Sequence, residues 1–420
     1  MERDWTSIDN RLNDPLWYRE RAEFLAAYRL LRDEDPVHWA KDEAYGRSFW
    51  FLTRHEHVKQ ALGDHMTFSS RHLWTVGRPP RSPRRFTLEQ RYELGLEARV
   101  VNVDPPIHTY LRRPMNRYFS VPSIAKLTDQ IQRYSDEVVD RARGLEKFDL
   151  VEEVAAQLPV RVILGMLGVP EEDWALVRNA AGMYTQSHDP RFLVDDDPVK
   201  TAETGLRQLI DYAMDLAEER KREPRDDFAT VVTEMKIEGE KLSTYELRGW
   251  FSALILGGIE TSRNAISAGL WQLLVHPDQR EIFLSAPAGR ALDLVDEVIR
   301  WTSPARSLLR VATRDVEMGG KEIRQGDWVL LSLISANHDE RVFEDPGRFD
   351  LRRDPVDHVG LGDGIHKCLG RNLLRLEFTT LARTLLQAFP DMSCAGEPTW
   401  MLDVNGSGLA SLEVRPYAAA

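Results

Sequence analysis

The sequence predicts a mainly α fold with a small β lobe, folded as one domain over residues 1–420. Most of the chain carries apolar residues at helical spacing, broken by short turns, and only a few segments show the period-2 alternation of a strand. A length of 420 residues would allow two or three domains at roughly 100–200 residues each, but no linker, internal repeat or low-complexity tract divides the chain.

In chain order, the helical pattern covers Arg19–Arg32, His55–Leu62, Ile107–Tyr118, Ser123–Arg143, Leu150–Leu167, Glu171–Thr185, Asp196–Arg222, Asp227–Lys236, Thr244–Val275, Pro277–Leu284, Ala291–Thr302 and Leu369–Phe389. Apolar positions three and four apart give each of these one face to bury. The strand candidates are Ser48–Thr53, Leu308–Thr313, Asp327–Ser335 and Ser411–Arg415, too few for more than a minor sheet lobe. Residues 1–16 read as an N-terminal extension and 416–420 as a frayed tail. His72–Pro83 and Ser187–Pro198 read as long surface loops.

Composition removes several function classes. Hydrophobic residues are 42% and charged residues 29% of the chain, ordinary for a globular protein with a large core. The polar start and the lack of any run of about 18 apolar residues predict neither a signal peptide nor a membrane span. Cys368 and Cys394 are the only cysteines, which excludes a disulfide framework and a Cys-cluster zinc site and fits a reducing, cytoplasmic setting. A net charge of −12 argues against general nucleic-acid binding.

Cys368 lies in Leu361-Gly-Asp-Gly-Ile-His366-Lys-Cys368-Leu-Gly370, directly before a helical stretch. The glycines let the backbone turn tightly and approach a flat group closely. A helix N-terminus presents unpaired N–H donors and partial positive charge, which favours a thiolate. A lone thiolate placed in this way can ligate haem iron.

This run resembles the cysteine-ligand loop of the cytochrome P450 family, Phe-Gly-x-Gly-x-His-x-Cys-x-Gly, with Leu361 in place of the usual Phe. The loss of an aromatic ring near the sulfur predicts a modest change in reduction potential or haem retention. Four further segments carry the resemblance, which extends from about Trp17 to Arg415. Gly257-Gly258-Ile-Glu260-Thr261, inside a long helical pattern, is similar to the family's oxygen-binding stretch. Two adjacent glycines there cost about 1 kcal/mol each relative to Ala, so a ligand passing close to the helix wall is one compensation. Glu297-Val-Ile-Arg300 places acid and base on one helix face. The resemblance implies that this pair braces the fold together with Arg348. His108 and Arg112, Arg310, and His366 follow in the order of the family's propionate partners. Ala336-Asn337-His338-Asp339 completes the set, with His338 where Arg is usual.

The resemblance implies the cytochrome P450 fold, haem b (iron protoporphyrin IX) on Cys368 as metal ligand, and O2 as cosubstrate. Gly257, Gly258 and Gly370 would line the cofactor. Thr261 would hold a water or the oxygen-derived ligand, and Glu260 would resupply protons, a division suited to general acid–base catalysis. The implied activity is insertion of one oxygen atom into a terpenoid, steroid or other aliphatic or aromatic compound. A sensor or carrier without turnover and a peroxide-driven enzyme are the alternatives.

Family topology implies a pocket wall of Leu73, Trp74, Val76, Ile255, Leu256, Ser307, Leu308, Leu309, Val404 and Leu409, suited to an apolar guest. Arg306 and the loop Arg78–Arg85 could read a carboxylate, although a solvated surface position fits both better. Because the chain contains no flavin or iron–sulfur segment, the expected electron source is a ferredoxin or flavodoxin with its NAD(P)H reductase. Arg113, Arg117, Lys367, Arg371 and Arg375 would form its basic docking patch. The chain is expected to act as a monomer.

Overall fold

The computed structural model describes residues 4–42, 47–71, 99–237, 239–353 and 356–417. Its main helices are α1 (Arg21–Glu34), α2 (His55–Gly63), α3 (Ile107–Asn116), α4 (Thr128–Ala142), α5 (Gln157–Leu167), α6 (Trp174–Thr185), α7 (Pro198–Arg222), α8 (Phe228–Glu234), α9 (Thr244–Val275), α10 (Pro277–Ser285), α11 (Ala288–Thr302) and α12 (Arg371–Ala388). The main sheet has five strands, β1 (Val37–Asp42), β2 (Arg47–Leu52), β3 (Phe68–Ser69), β4 (Ser307–Ala312) and β5 (Trp328–Ser332), in the order β1-β2-β5-β4-β3. All its pairs are antiparallel except β2 with β5.

Three of the expected helices break near one end. The first of these segments splits into Val121–Ala125 and α4, the second opens with a π turn at Val151–Ala155 before α5, and Glu171–Asp173 winds as a 3-10 turn before α6. Strand β1 was not anticipated. It forms because it pairs along its whole length with β2, a long-range partner that local pattern does not reveal.

Helix α9 is the axis of the molecule. Ser243 and Glu246 close a capping box at its start, and His276-Pro277 ends it. It is buried on nearly every side, and most of the apolar side chains of α4–α8, α11 and α12 join it in one core. Small residues allow the close approaches: a Cβ on Gly269 would strike Phe378 of α12 and Val298 of α11. Two further clusters fill the sheet lobe, one on each face. On β4, Leu308 and Ala312 join one cluster and Leu309 the other, as strand alternation requires. Among the described residues no helix is long and apolar enough to cross a membrane.

Candidate active site

The Cys368 loop is shaped by glycine. Gly362 and Gly364 have φ of +68° and +59°, values that L side chains rarely adopt. A Cβ on Gly364 would also lie 2.9 Å from the carbonyl oxygen of Leu62, so this turn packs directly on the end of α2. The Cys368 N–H donates to the Leu361 carbonyl at 2.8 Å, closing the loop, and α12 starts three residues later. Leu361 itself is buried.

Burial pushes the Cys368 thiol up, against the N–H donors of Gly370 and Arg371 and the guanidinium groups of Arg112 and Arg371. The helix end therefore does not by itself hold the anion that the sequence suggested. Ligation would, because a coordinated thiol is deprotonated outright. Arg112 donates to the Lys367 carbonyl and Arg371 to the Cys368 carbonyl at 3.0 Å, so both brace the loop.

The four expected propionate partners come together beside this loop. The rings of His108 and His366 lie 4.4 Å apart. The Nε2 of each is buried and has no hydrogen-bond partner among the described residues. Burial, together with Arg310, His108 and Arg112, pushes His366 down to about 2, and burial with Arg112 pushes His108 down to about 4. Burial lowers Arg310 to about 10 and also lowers Arg112. The nearby carboxylate, Asp104, is held by the Ser69 hydroxyl and the Ser70 N–H. Orphaned donors and crowded cations of this kind fit a group bearing two carboxylates, so the residues present suit haem.

On α9, Thr261 Oγ1 donates to the Gly257 carbonyl at 2.7 Å. Gly257 faces open space, consistent with a gap in the helix wall. Gly258 does not share that role, since a Cβ there would lie 2.5 Å from Ile163 Cδ1, and its small size serves the packing of α9 on α5. Glu260 is buried and accepts from Gln186 Nε2 at 2.8 Å, a partner contributed by the end of α6 that local sequence did not suggest. Burial raises the Glu260 carboxyl above its ordinary range, against the pull of Arg263 and Arg178. A small cavity beside it is lined by Glu152, Arg178, Gln186, Glu260 and Arg263, among others.

The acid–base brace requires a correction. Arg300 donates to Glu297 at 2.6 and 2.8 Å and to the carbonyls of Asn337, Pro346 and Arg348. The second arginine on Glu297 is Arg353, at 3.3 Å, and not Arg348. Arg348 supplies only its carbonyl, while its side chain points outward and lies 3.7 Å from Asp350. His338 is buried, and its Nδ1 bonds the Ile334 carbonyl. Burial and the nearby arginines, Arg21 first, hold it well below its ordinary value.

The expected pocket wall divides. Leu256, Ser307 and Leu308 are half-buried, whereas Ile255, Leu309 and Leu409 are fully packed and Val404 nearly so. Leu309 and Val404 join the aromatic cluster of Tyr18, Phe24 and Tyr28, on the face of β4 opposite Leu308 and Arg310. Leu73, Trp74, Val76 and the loop Arg78–Arg85 lie outside the described residues. Arg306 is not solvated surface: it is buried, lies 3.9 Å from the Tyr18 ring centroid and donates to the Asp403 carbonyl. Of the basic patch, Arg113, Arg117 and Lys367 are exposed, whereas Arg375 is tied to Asp296 at 2.7 Å.

Comparison with known proteins agrees with this geometry. Residues 293–415 match the family model "Cytochrome P450". A steroid C26-monooxygenase of Mycolicibacterium smegmatis is 33% identical, over 98% of this chain and 96% of that one. Cytochrome P450 CYP268A2 of Mycobacterium marinum, solved with pseudoionone, superposes with a TM-score of 0.85 at 30% identity, over 94% of this chain and 95% of that one. CYP109E1 of Bacillus megaterium, solved with testosterone, superposes at 0.81 with 28% identity, over 94% and 98%. The chain therefore belongs to the cytochrome P450 family and is an oxygen-incorporating monooxygenase of the bacterial type.

Proposed function

We propose that this monooxygenase oxidises a mainly apolar small molecule of steroid or terpenoid character, with Cys368 as the iron ligand of haem b. The observation that carries this reading is the convergence of Cys368 with His108, Arg112, Arg310 and His366, where the buried Nε2 of each histidine has no hydrogen-bond partner among the described residues. The relatives named for steroids and the neighbours solved with pseudoionone and testosterone support the substrate class.

Bound haem supplies O2 activation and oxygen transfer to carbon. The residues of the chain do the rest. Arg112, Arg310, His108 and His366 would hold the propionates, and Gly257, which faces open space, would leave room for a bound group. Thr261 Oγ1 can rotate from the Gly257 carbonyl to orient a water. The Glu260 carboxyl, raised by burial, is suited to passing a proton toward Thr261. The apolar side chains of Leu256 and Leu308 favour an apolar guest and exclude water.

Electrons would come from a ferredoxin or flavodoxin docking over Arg113, Arg117 and Lys367, whose exposed charge suits an acidic partner. We place the enzyme in the cytoplasm as a monomer. The deciding test is the carbon monoxide difference spectrum of the reduced protein, alone and as Cys368→Ser. A strongly red-shifted Soret band lost in the variant is expected; a band indifferent to the substitution would remove the thiolate reading.

A further inference from the structure

Two carboxyl groups line the small cavity beside Glu260. Glu260 itself enters it from α9, and Glu152 enters it from the π turn Val151–Ala155. Arg178 and Gln186 from the α6 side and Arg263 from α9 complete its polar wall. The cavity has a volume of about 10 Å³, room for one water. A Cβ on Gly182 of α6 would lie 2.5 Å from the Phe192 ring, so the loop after α6 closes tightly at this wall.

The cations around this cavity are shared unequally. Arg178 donates to Glu152 Oε2, and Arg191 to Glu152 Oε1 at 2.7 Å. Arg191 also holds Asp189 at 2.7 Å. Arg263 turns Nη1 to Asn264 Oδ1 and Met401 Sδ. Glu260 accepts from the neutral amide of Gln186 and forms no ion pair among the described residues, although Arg178 and Arg263 are near enough to act on it by charge. The two carboxyls are driven apart accordingly. Burial acts to raise Glu152, but Arg178, Arg191 and Arg263 outweigh it and hold the group below its ordinary range. Burial raises Glu260 against Arg263 and Arg178, and the charge of Asp403 adds to the rise. Carboxyls pushed in opposite directions within one site divide the tasks of holding charge and holding a proton.

We propose that Glu152 is a positioning residue for proton supply, which holds Arg178 away from Glu260 and so lets Glu260 keep a proton to pass toward Thr261. The inference rests on the proton-supply role given to Glu260 and Thr261 above, and deepens it. Without the Glu152 carboxylate, Arg178 loses its counter-charge, and Glu260 in the same wall is an acid that can replace it. An ion pair there would stabilise the Glu260 carboxylate and lower its affinity for a proton. A proton given up toward Thr261 leaves that carboxylate, which takes one back from solvent through a water in the cavity. Glu152 and Arg178, at 33% and 31% side-chain exposure, mark the solvent side.

The test is pH-difference infrared spectroscopy of the haem-loaded enzyme, read at the carbonyl band of a protonated carboxyl that Glu260→Gln removes. The midpoint of that band is expected to fall by about one pH unit or more in Glu152→Gln. Adding Arg178→Gln to that variant should return the midpoint to the wild-type value or above, because the freed cation is gone. Glu152→Asp, which keeps the charge, should stay within about half a unit of wild type. An unchanged or raised midpoint in Glu152→Gln, a fall that survives Arg178→Gln, or the lack of any carboxyl band that depends on Glu260 would overturn the proposal. If Glu152→Gln does not fold by circular dichroism, Arg178→Gln alone decides: a raised midpoint is expected, and an unchanged or lower one overturns the role. The carbon monoxide difference spectrum and the product yield of Glu260→Gln, read on the same preparations, separate the two readings. A lost spectrum, or a yield indifferent to Glu260→Gln, removes the proton supply and this proposal with it. With both as expected, an unmoved midpoint removes the role of Glu152 alone.

Discussion

Glu297 and Arg300 face each other across one turn of α11 with two hydrogen bonds, and their side chains are 1% and 0% exposed. The pair is too deeply buried to act on a ligand. It ties α11 to the chain that leads to the cysteine loop, because Arg300 also bonds the carbonyls of Asn337 and Pro346 and Glu297 accepts the Asp350 N–H. Removing Arg300 leaves a buried carboxylate short of its main partner, for which about 3–5 kcal/mol of lost stability is expected. Arg353→Ala should also destabilise, and Arg348→Ala should stay within about 0.5 kcal/mol. Thermal denaturation of the three variants checks the order, and a larger loss at Arg348 than at Arg353 would contradict the assignment.

The adjacent glycines of α9 should respond oppositely. Gly258→Ala pushes a methyl into Ile163 and is expected to cost about 1–3 kcal/mol. Gly257→Ala meets nothing and should gain up to about 1 kcal/mol from helix propensity, while narrowing the space above the cofactor. Melting temperatures give the first effect, and substrate-induced spin-state change the second.

His38 links the N-terminal segment to the sheet through Asp9 at 2.7 Å and Asp35 at 2.9 Å. Burial, which lowers the imidazole, is outweighed by its hydrogen bonds to both carboxylates and by their charge, so it is raised above its ordinary value. A raised folded pKa stabilises fully below the unfolded value of about 6.5 and is lost as pH rises through the folded one. Asp35 is lowered despite burial, by His38 and Lys321, so its contribution is present above about 3.9 and fades as pH falls through the folded pKa. Denaturant melts from pH 5 to 9 should therefore show a decline on the alkaline side that His38→Gln flattens. An unchanged slope in the variant would assign the decline elsewhere.

Thr261→Ala should preserve haem and substrate binding but release peroxide in place of product, because the hydroxyl that orients the proton is gone. Glu260→Gln keeps the Gln186 contact geometry yet cannot resupply protons, so turnover is expected to fall roughly 10²-fold with a larger solvent isotope effect. Equal product yield per NADH in wild type and both variants would deny these residues the relay.

Much of this site was legible along the chain. The glycine-flanked Cys368, the Glu297–Arg300 pair and the bounds of α9, Thr244–Val275, depend on neighbours within a turn or a loop, where spacing, capping and φ govern geometry. Short strands such as β1 were not, because their partners lie elsewhere in the sequence.

Tertiary packing alone decided which distant groups meet. It chose Arg353 over Arg348 for Glu297, gave Glu260 to Gln186, turned Leu309 away from the site and left Arg99 Nη2 without a partner among the described residues. The physical reason is common to all four. Periodicity assigns a side chain to one face of its own element, but which charges and cavities that face encounters depends on how separate elements pack. The sequence by itself thus determined the ligand loop and the fold family, and the folded arrangement determined the identity of the partners around them.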